Sequence, residues 1–151
     1  MNIMADIDIT QQEADALIAM EKHCDDSTEV NFPVPGERIA IALSSPDKRE
    51  KFLLDVTRAQ IKLTKATFQN RARQAVVLMR IDVNGPPHRN PDGEEIPCPH
   101  LHIYREGHGA KWAFALPVER YPEPENLFST LEAFMKHCNI TLPPRIIQGL
   151  F

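Results

Sequence analysis

The chain is predicted to fold as a single α+β domain: an N-terminal helix, an antiparallel sheet of five or six strands, and one or two C-terminal helices. Three observations predict this. Apolar residues recur at helical spacing only near the two ends of the chain. The middle instead carries short apolar runs, alternating or continuous, of strand length. Clusters of Pro, Gly, Asn and Asp separate those runs. At 151 residues, 42% hydrophobic and 25% charged, the chain is long enough to bury a core without metal or disulfide support.

Thr10 and Glu13 have the spacing of a capping box, and Ala14, Leu17, Ile18, Met20 and Cys24 continue it as an apolar stripe. The helix is expected to fade near Asp25-Asp26-Ser27, whose carboxylates oppose the negative end of a helix dipole. Phe32-Pro33-Val34-Pro35-Gly36 is a connector. RIAIALSS reads as the first strand, KFLLDVTR as the second and QIKLTKATF as the third, with Gln69–Arg73 as a polar hairpin connection. VVLMRIDV, continuously apolar, is the fourth and belongs near the sheet centre. Asn84-Gly85 ends it. Within the loop that follows, Asn90-Pro91-Asp92-Gly93 fits a type I turn. HLHIYRE and KWAFAL complete the strands. From about Asn126, Leu127, Leu131, Phe134 and Cys138 mark a helical stripe that Phe128 and Met135 widen, and the tail RIIQGLF docks back on the body or meets a partner.

No apolar run approaches the roughly 18–20 residues of a membrane span, and the acidic start lacks the pattern of a secretory signal. Cys24, Cys98 and Cys138 are odd in number and widely spaced, so no disulfide framework is indicated and a cytoplasmic location is expected. The net charge of -4 is unevenly distributed. Residues 1–30 hold eight acidic side chains against Lys22, whereas residues 48–80 hold nine basic ones against Glu50 and Asp55. Such a basic middle either attracts a polyanion or forms a salt-bridged sheet face neutralised by the acidic N-terminal segment.

The candidate site lies between Arg80 and Trp112, a stretch holding four of the six histidines: His88, His100, His102 and His108. In an extended strand His100, His102 and Tyr104 share one side, and so do Arg80 and Asp82 on theirs. The preferred chemistry is metal-free acid/base catalysis, because imidazole both gives and takes protons near neutral pH. Cleavage of RNA needs a base for the 2′-hydroxyl, an acid for the leaving oxygen and cations for the phosphate. His88, His100 and His102 would share the proton transfers. Arg80, Lys111 or Arg73 would hold the phosphate, Asp82 would orient a histidine, and Tyr104 would offer a hydroxyl or a stacking face.

The same residues allow a zinc site, with His88, His100 and His102 as ligands and Asp82 as a fourth or as an orienting partner. They also allow a purely structural role. His100-x-His102-x-x-x-Glu106 fits only part of a cupin motif. Cys98, between Pro97 and Pro99, is either a thiolate beside the histidines or a buried small residue. His23, His108 and His137 are read as surface or helix-end residues, His137 complementing its helix dipole.

Arg80-x-Asp82, then His88, then Pro99-His100-x-His102-x-Tyr104 resembles small proteins of bacterial mobile elements and, more distantly, RelE-like toxins of toxin–antitoxin pairs. The resemblance covers about a third of the chain. It implies an RNA-cleaving or RNA-binding protein neutralised by an antitoxin, although this chain is longer and more acidic than such toxins. The competing expectation is a phage- or prophage-encoded inhibitor of a host defence or nucleic-acid enzyme. In that reading Asp6, Asp8, Asp15, Asp25 and Asp26 mimic nucleic acid, with a host protein as partner.

Overall fold

The computed structural model describes residues 8–26 and 29–149. Helix α1 (Gln11–Ala19) is followed by strands β1 (Lys22–Cys24), β2 (Glu29–Asn31), β3 (Arg38–Ser44), β4 (Lys51–Arg58), β5 (Ala66–Ala72) and β6 (Val76–Val83). Then come β7 (His88–Arg89), β8 (Glu95–Ile96), β9 (His100–Ile103), β10 (Ala113–Ala115), helix α2 (Leu127–His137), β11 (Ile140–Leu142) and β12 (Arg145–Ile147). The fold is α+β with a helix near each end, as expected. The sheet is larger than expected and mixed: eight strands in the order β10-β9-β6-β5-β4-β3-β1-β11, antiparallel except for the β1–β11 pair. β2 and β12 form a separate parallel pair, and β7 and β8 a small hairpin.

The Thr10–Glu13 capping box is present. The helix it starts is shorter than the apolar stripe suggests, because Met20 turns extended and Lys22–Cys24 pair as a strand with β3 and β11. Strand pairing also half-buries Cys24, so it sits on helical spacing without being helical. The expected third strand is displaced. Ile61 and Leu63 are exposed (91% and 62%) in a turn closed by the Ala59–Lys65 and Lys65–Lys62 backbone bonds. The strand instead runs through Gln69–Ala72, the stretch expected to be a connection. Its polar residues are at home there. Gln69 donates to Asp55 at 3.1 Å, Arg71 grips the same carboxylate at 2.7 and 3.1 Å, and inward-facing Asn70 donates to the Leu53 carbonyl at 3.2 Å.

Cross-strand pairing separates the two faces of the sheet. Phe68, Ile81 and Leu101 stand opposite one another on β5, β6 and β9, all buried, and Phe68 packs against Phe134 of α2. The intervening residues Thr67, Asp82 and His100 share the other face with Gln69, Arg80 and His102. A period of two on three neighbouring strands thus yields one apolar and one polar face. The basic middle is neutralised in part: Arg73 pairs with Glu13 (3.3 Å) and Glu50 (2.9 Å), Arg71 with Asp55, and Lys48 with Asp25 (3.8 Å). Of the acidic set, Asp6 lies outside the described residues, as do Leu150 and Phe151 of the tail. Arg145–Ile147 of that tail pairs with β2.

His137 departs from its expected role as a charged helix-end group. Its Nδ1 lies 2.9 Å from the Tyr121 hydroxyl, and burial, with the neighbouring Arg120 charge, pushes its pKa down to about 4. The ring is therefore neutral at pH 7. The unfolded chain protonates His137 near pH 6.5, so it binds the proton first as the pH falls. Stability should decline from about pH 6.5 towards pH 4. Urea midpoints across that range for parent and His137→Gln measure this, with a shallower decline in the variant; equal slopes would contradict it.

Candidate functional site

The site is built where β6 and β9 pair. Asp82 stands opposite His100 and Arg80 opposite His102, while Thr67 of β5 stands opposite Asp82 from the other side. The loop after β6 closes over this face as the β7–β8 hairpin. A turn lies at the expected residues, with the Gly93 amide donating to the Asn90 carbonyl at 2.8 Å. Asn90 itself is buried, and its amide donates to and accepts from the Ala113 backbone at 3.0 and 2.8 Å, which closes the free edge of β10. The hairpin thereby brings His88 beside the two strand histidines. Ring centroids are 4.6 Å from His88 to His102, 5.9 Å from His88 to His100 and 4.9 Å between His100 and His102.

Asp82 is the hub. Its Oδ2 lies 3.0 Å from His100 Nε2, 3.1 Å from His102 Nε2 and 3.2 Å from Arg80 Nη2, while Thr67 Oγ1 donates to its Oδ1 at 3.0 Å. Burial pushes the Asp82 pKa up, but His102, Arg80 and Thr67 together outweigh it and hold the carboxyl well below the usual range. Asp82 is thus ionised and is no proton donor at neutral pH. Burial lowers the His100 pKa more than the adjacent Asp82 raises it, so that ring is neutral.

Backbone carbonyls fix two of the three rings, because a carbonyl only accepts. His102 Nδ1 donates to the Ala110 carbonyl at 2.7 Å, and His88 Nε2 to that of Lys111 at 2.7 Å. A neutral His102 therefore presents its Nε2 lone pair to Asp82 and Arg80, and a neutral His88 keeps a free lone pair on Nδ1. His100 Nδ1 is buried without a hydrogen bond; the Pro97 carbonyl is near it, short of bonding geometry.

Access is unequal. The His100 and His102 side chains are 3% and 1% exposed, those of Arg80 and Asp82 are 31% and 21% exposed, and His88 is half-buried. Two clefts meet at Arg80 and His88. One, of about 270 Å³, runs past Lys65, Thr67, Asp82 and His100. The other, of about 560 Å³, runs past His102, Tyr104, His108 and Lys111. A further groove of about 1070 Å³ around Phe32, Val34, Leu63 and Phe128 has no imidazole or thiol among its described lining residues.

Of the residues the sequence singles out, Arg80, Asp82, His88, His100 and His102 converge, and Lys111 borders the larger cleft. Tyr104 is buried, and its hydroxyl is occupied by the Ile9 backbone, accepting from the amide at 2.9 Å and donating to the carbonyl at 2.8 Å. It anchors the approach to α1. Arg73 is spent on its ion pairs. Cys98 Sγ is held between the Asp82 carbonyl and the Gly85 amide, so it steadies the end of β6. Sequence reasoning missed Thr67, Asn90 and the Ala110 and Lys111 carbonyls. Thr67 was recoverable from a correct β5 register; the carbonyls carry no sequence signal.

The chain belongs to a family of unknown function (DUF6978), whose profile matches residues 9–140, a span that contains the whole cluster. No curated protein and no solved structure matches the chain. Among the described residues, no helix is long and apolar enough to cross a membrane.

Proposed function

We propose that this protein is an endoribonuclease of toxin type, acting in the cytoplasm and held in check by a partner protein, with the Asp82 cluster as its catalytic centre. The observation that carries the reading is the convergence of two imidazoles and a guanidinium on one ionised carboxylate, with the His88 ring beside them, at the junction of two clefts. His88 is the imidazole that a substrate can reach. Its Nε2–H is committed to the Lys111 carbonyl, so Nδ1 is the atom that takes a proton.

In this mechanism His88 Nδ1 removes the 2′-hydroxyl proton and the 2′ oxygen attacks the adjacent phosphorus. The P–O5′ bond breaks, leaving a 2′,3′-cyclic phosphate, and the departing 5′ oxygen takes a proton from the His88 imidazolium or the Lys111 ammonium. Arg80 faces the phosphate from between the clefts, where a guanidinium can donate two parallel hydrogen bonds. Asp82 holds Arg80 in place and stays charged throughout. Arg80, Lys65 and Lys111 give the clefts the positive rim that a phosphodiester needs.

The test is to incubate the purified full chain with a single-stranded RNA and with the same sequence lacking 2′-hydroxyls. Cleavage of the RNA to cyclic-phosphate ends, with the deoxy strand left whole, is the expected result. If neither strand is cut, the proposal fails.

A further inference from the structure

We infer that Asp82, His100 and His102 form the binding site for one divalent transition-metal ion of the zinc class. This rests on the reading of the cluster as the catalytic centre and revises one part of it: with an ion bound, Asp82 is a ligand and Arg80 is released towards the clefts it borders. His102 Nδ1 donates to the Ala110 carbonyl, so Nε2 is the atom turned towards Asp82 Oδ2 at 3.1 Å and Arg80 Nη2 at 3.0 Å. Asp82 Oδ2 is within 3.2 Å of three nitrogens at once. An ion among these crowded donor atoms would organise them.

The geometry suits such an ion. The donor atoms of Asp82, His100 and His102 all lie within 4.8 Å of one another. Bonds of about 2.0–2.2 Å to a common centre at the tetrahedral angle put neighbouring donors about 3.3–3.5 Å apart, so the 3.0 and 3.1 Å from Oδ2 to the two Nε2 atoms need to widen by only a few tenths of an ångström. Groups behind the donors are also in place. Metal-bound histidine usually passes its other ring proton to a carbonyl, as His102 does to Ala110, and a ligating carboxylate is usually hydrogen-bonded, as Asp82 is by Thr67. Two imidazoles with one carboxylate favour zinc, iron or cobalt over magnesium or calcium, which prefer oxygen. Burial of His100 and His102 hinders a proton shuttle but not a ligand, and the donor residues still line the two clefts, Asp82 and His100 the smaller and His102 the larger.

Arg80 is the competitor. Its Nη2 already touches both Asp82 and His102, so a bound metal displaces it. The guanidinium borders both clefts, which gives it somewhere to move. Removing it should therefore strengthen metal binding.

The experiment uses the full chain, stripped with a chelator and titrated with Zn²⁺ and Co²⁺. One equivalent should bind, with visible Co²⁺ bands. In the 15N-histidine spectrum Zn²⁺ should shift His100 and His102 at Nε2 and leave His23 unmoved, a measurement that needs no variant. Asp82→Asn and His100→Gln should each weaken binding by about a hundredfold or more, whereas Arg80→Gln should tighten it. Absence of stoichiometric binding in both parent and Arg80→Gln, or shifts confined to other histidines, would overturn the inference. RNA cleavage at full rate by the metal-stripped protein would overturn it too, while leaving the ribonuclease reading standing. Metal bound at these residues without RNA cleavage would overturn only the ribonuclease reading.

Discussion

His88→Ala is expected to slow RNA cleavage by about 10²–10⁴-fold, the usual contribution of a positioned acid/base group, while leaving the fold in place. The two effects separate because His88 sits on a two-residue strand of a surface hairpin, half-buried, with its ring nitrogen bonded to one backbone carbonyl. The rigid part of the site does not depend on it. Asp82, His100 and His102 are fixed by the β6–β9 register and by Thr67. Added imidazole should restore part of the rate by occupying the vacated space. A variant within about threefold of the parent would remove His88 from the mechanism.

That experiment also separates two roles among the imidazoles that the sequence could not distinguish. A period of two was enough to place Arg80 with Asp82, and His100 with His102, on common faces, and strand pairing then brought those faces together. Continuous apolar runs likewise set the bounds of β4 and β6, and the Thr10–Glu13 spacing set the start of α1. Burial was not legible. What seals His100 and His102 is a hairpin and a loop, whose positions depend on contacts such as Asn90 with Ala113 across 23 residues of chain. The displaced third strand shows the same limit. Ile61-Lys62-Leu63 alternates as well as any strand in the chain, but no neighbour stands beside it, whereas the polar Gln69-Asn70-Arg71 finds Asp55 and the Leu53 carbonyl. The parallel β1–β11 pair was unreadable for a simpler reason. Three residues are too few to show a period.

The largest expected loss of stability comes from that unread pair. Lys22 on β1 is fully buried, and its ammonium donates to three backbone carbonyls: Ile18 at 3.0 Å, Met20 at 2.9 Å and Cys138 at 2.7 Å. Burial pushes its pKa down to about 8, so it remains mainly charged at pH 7, with three N–H bonds for three acceptors. The acceptors belong to the last turn of α1, the residue that caps it and the residue that caps α2. Carbonyls at helix ends have no partner within the helix, so one side chain satisfies two termini and ties both helices to the sheet edge. The ammonium also lies 4.9 Å from the Phe52 ring centroid. Lys22→Met keeps much of the volume and removes every donor. Leaving buried acceptors unpaired should cost about 3–5 kcal/mol, which at roughly 2–4 °C per kcal/mol for a chain of this size lowers Tm by about 10 °C. Denaturant unfolding of parent and variant at pH 7 measures it. A loss below about 1 kcal/mol would mean that water reaches those carbonyls once the ammonium is gone, and that the helix ends do not depend on Lys22.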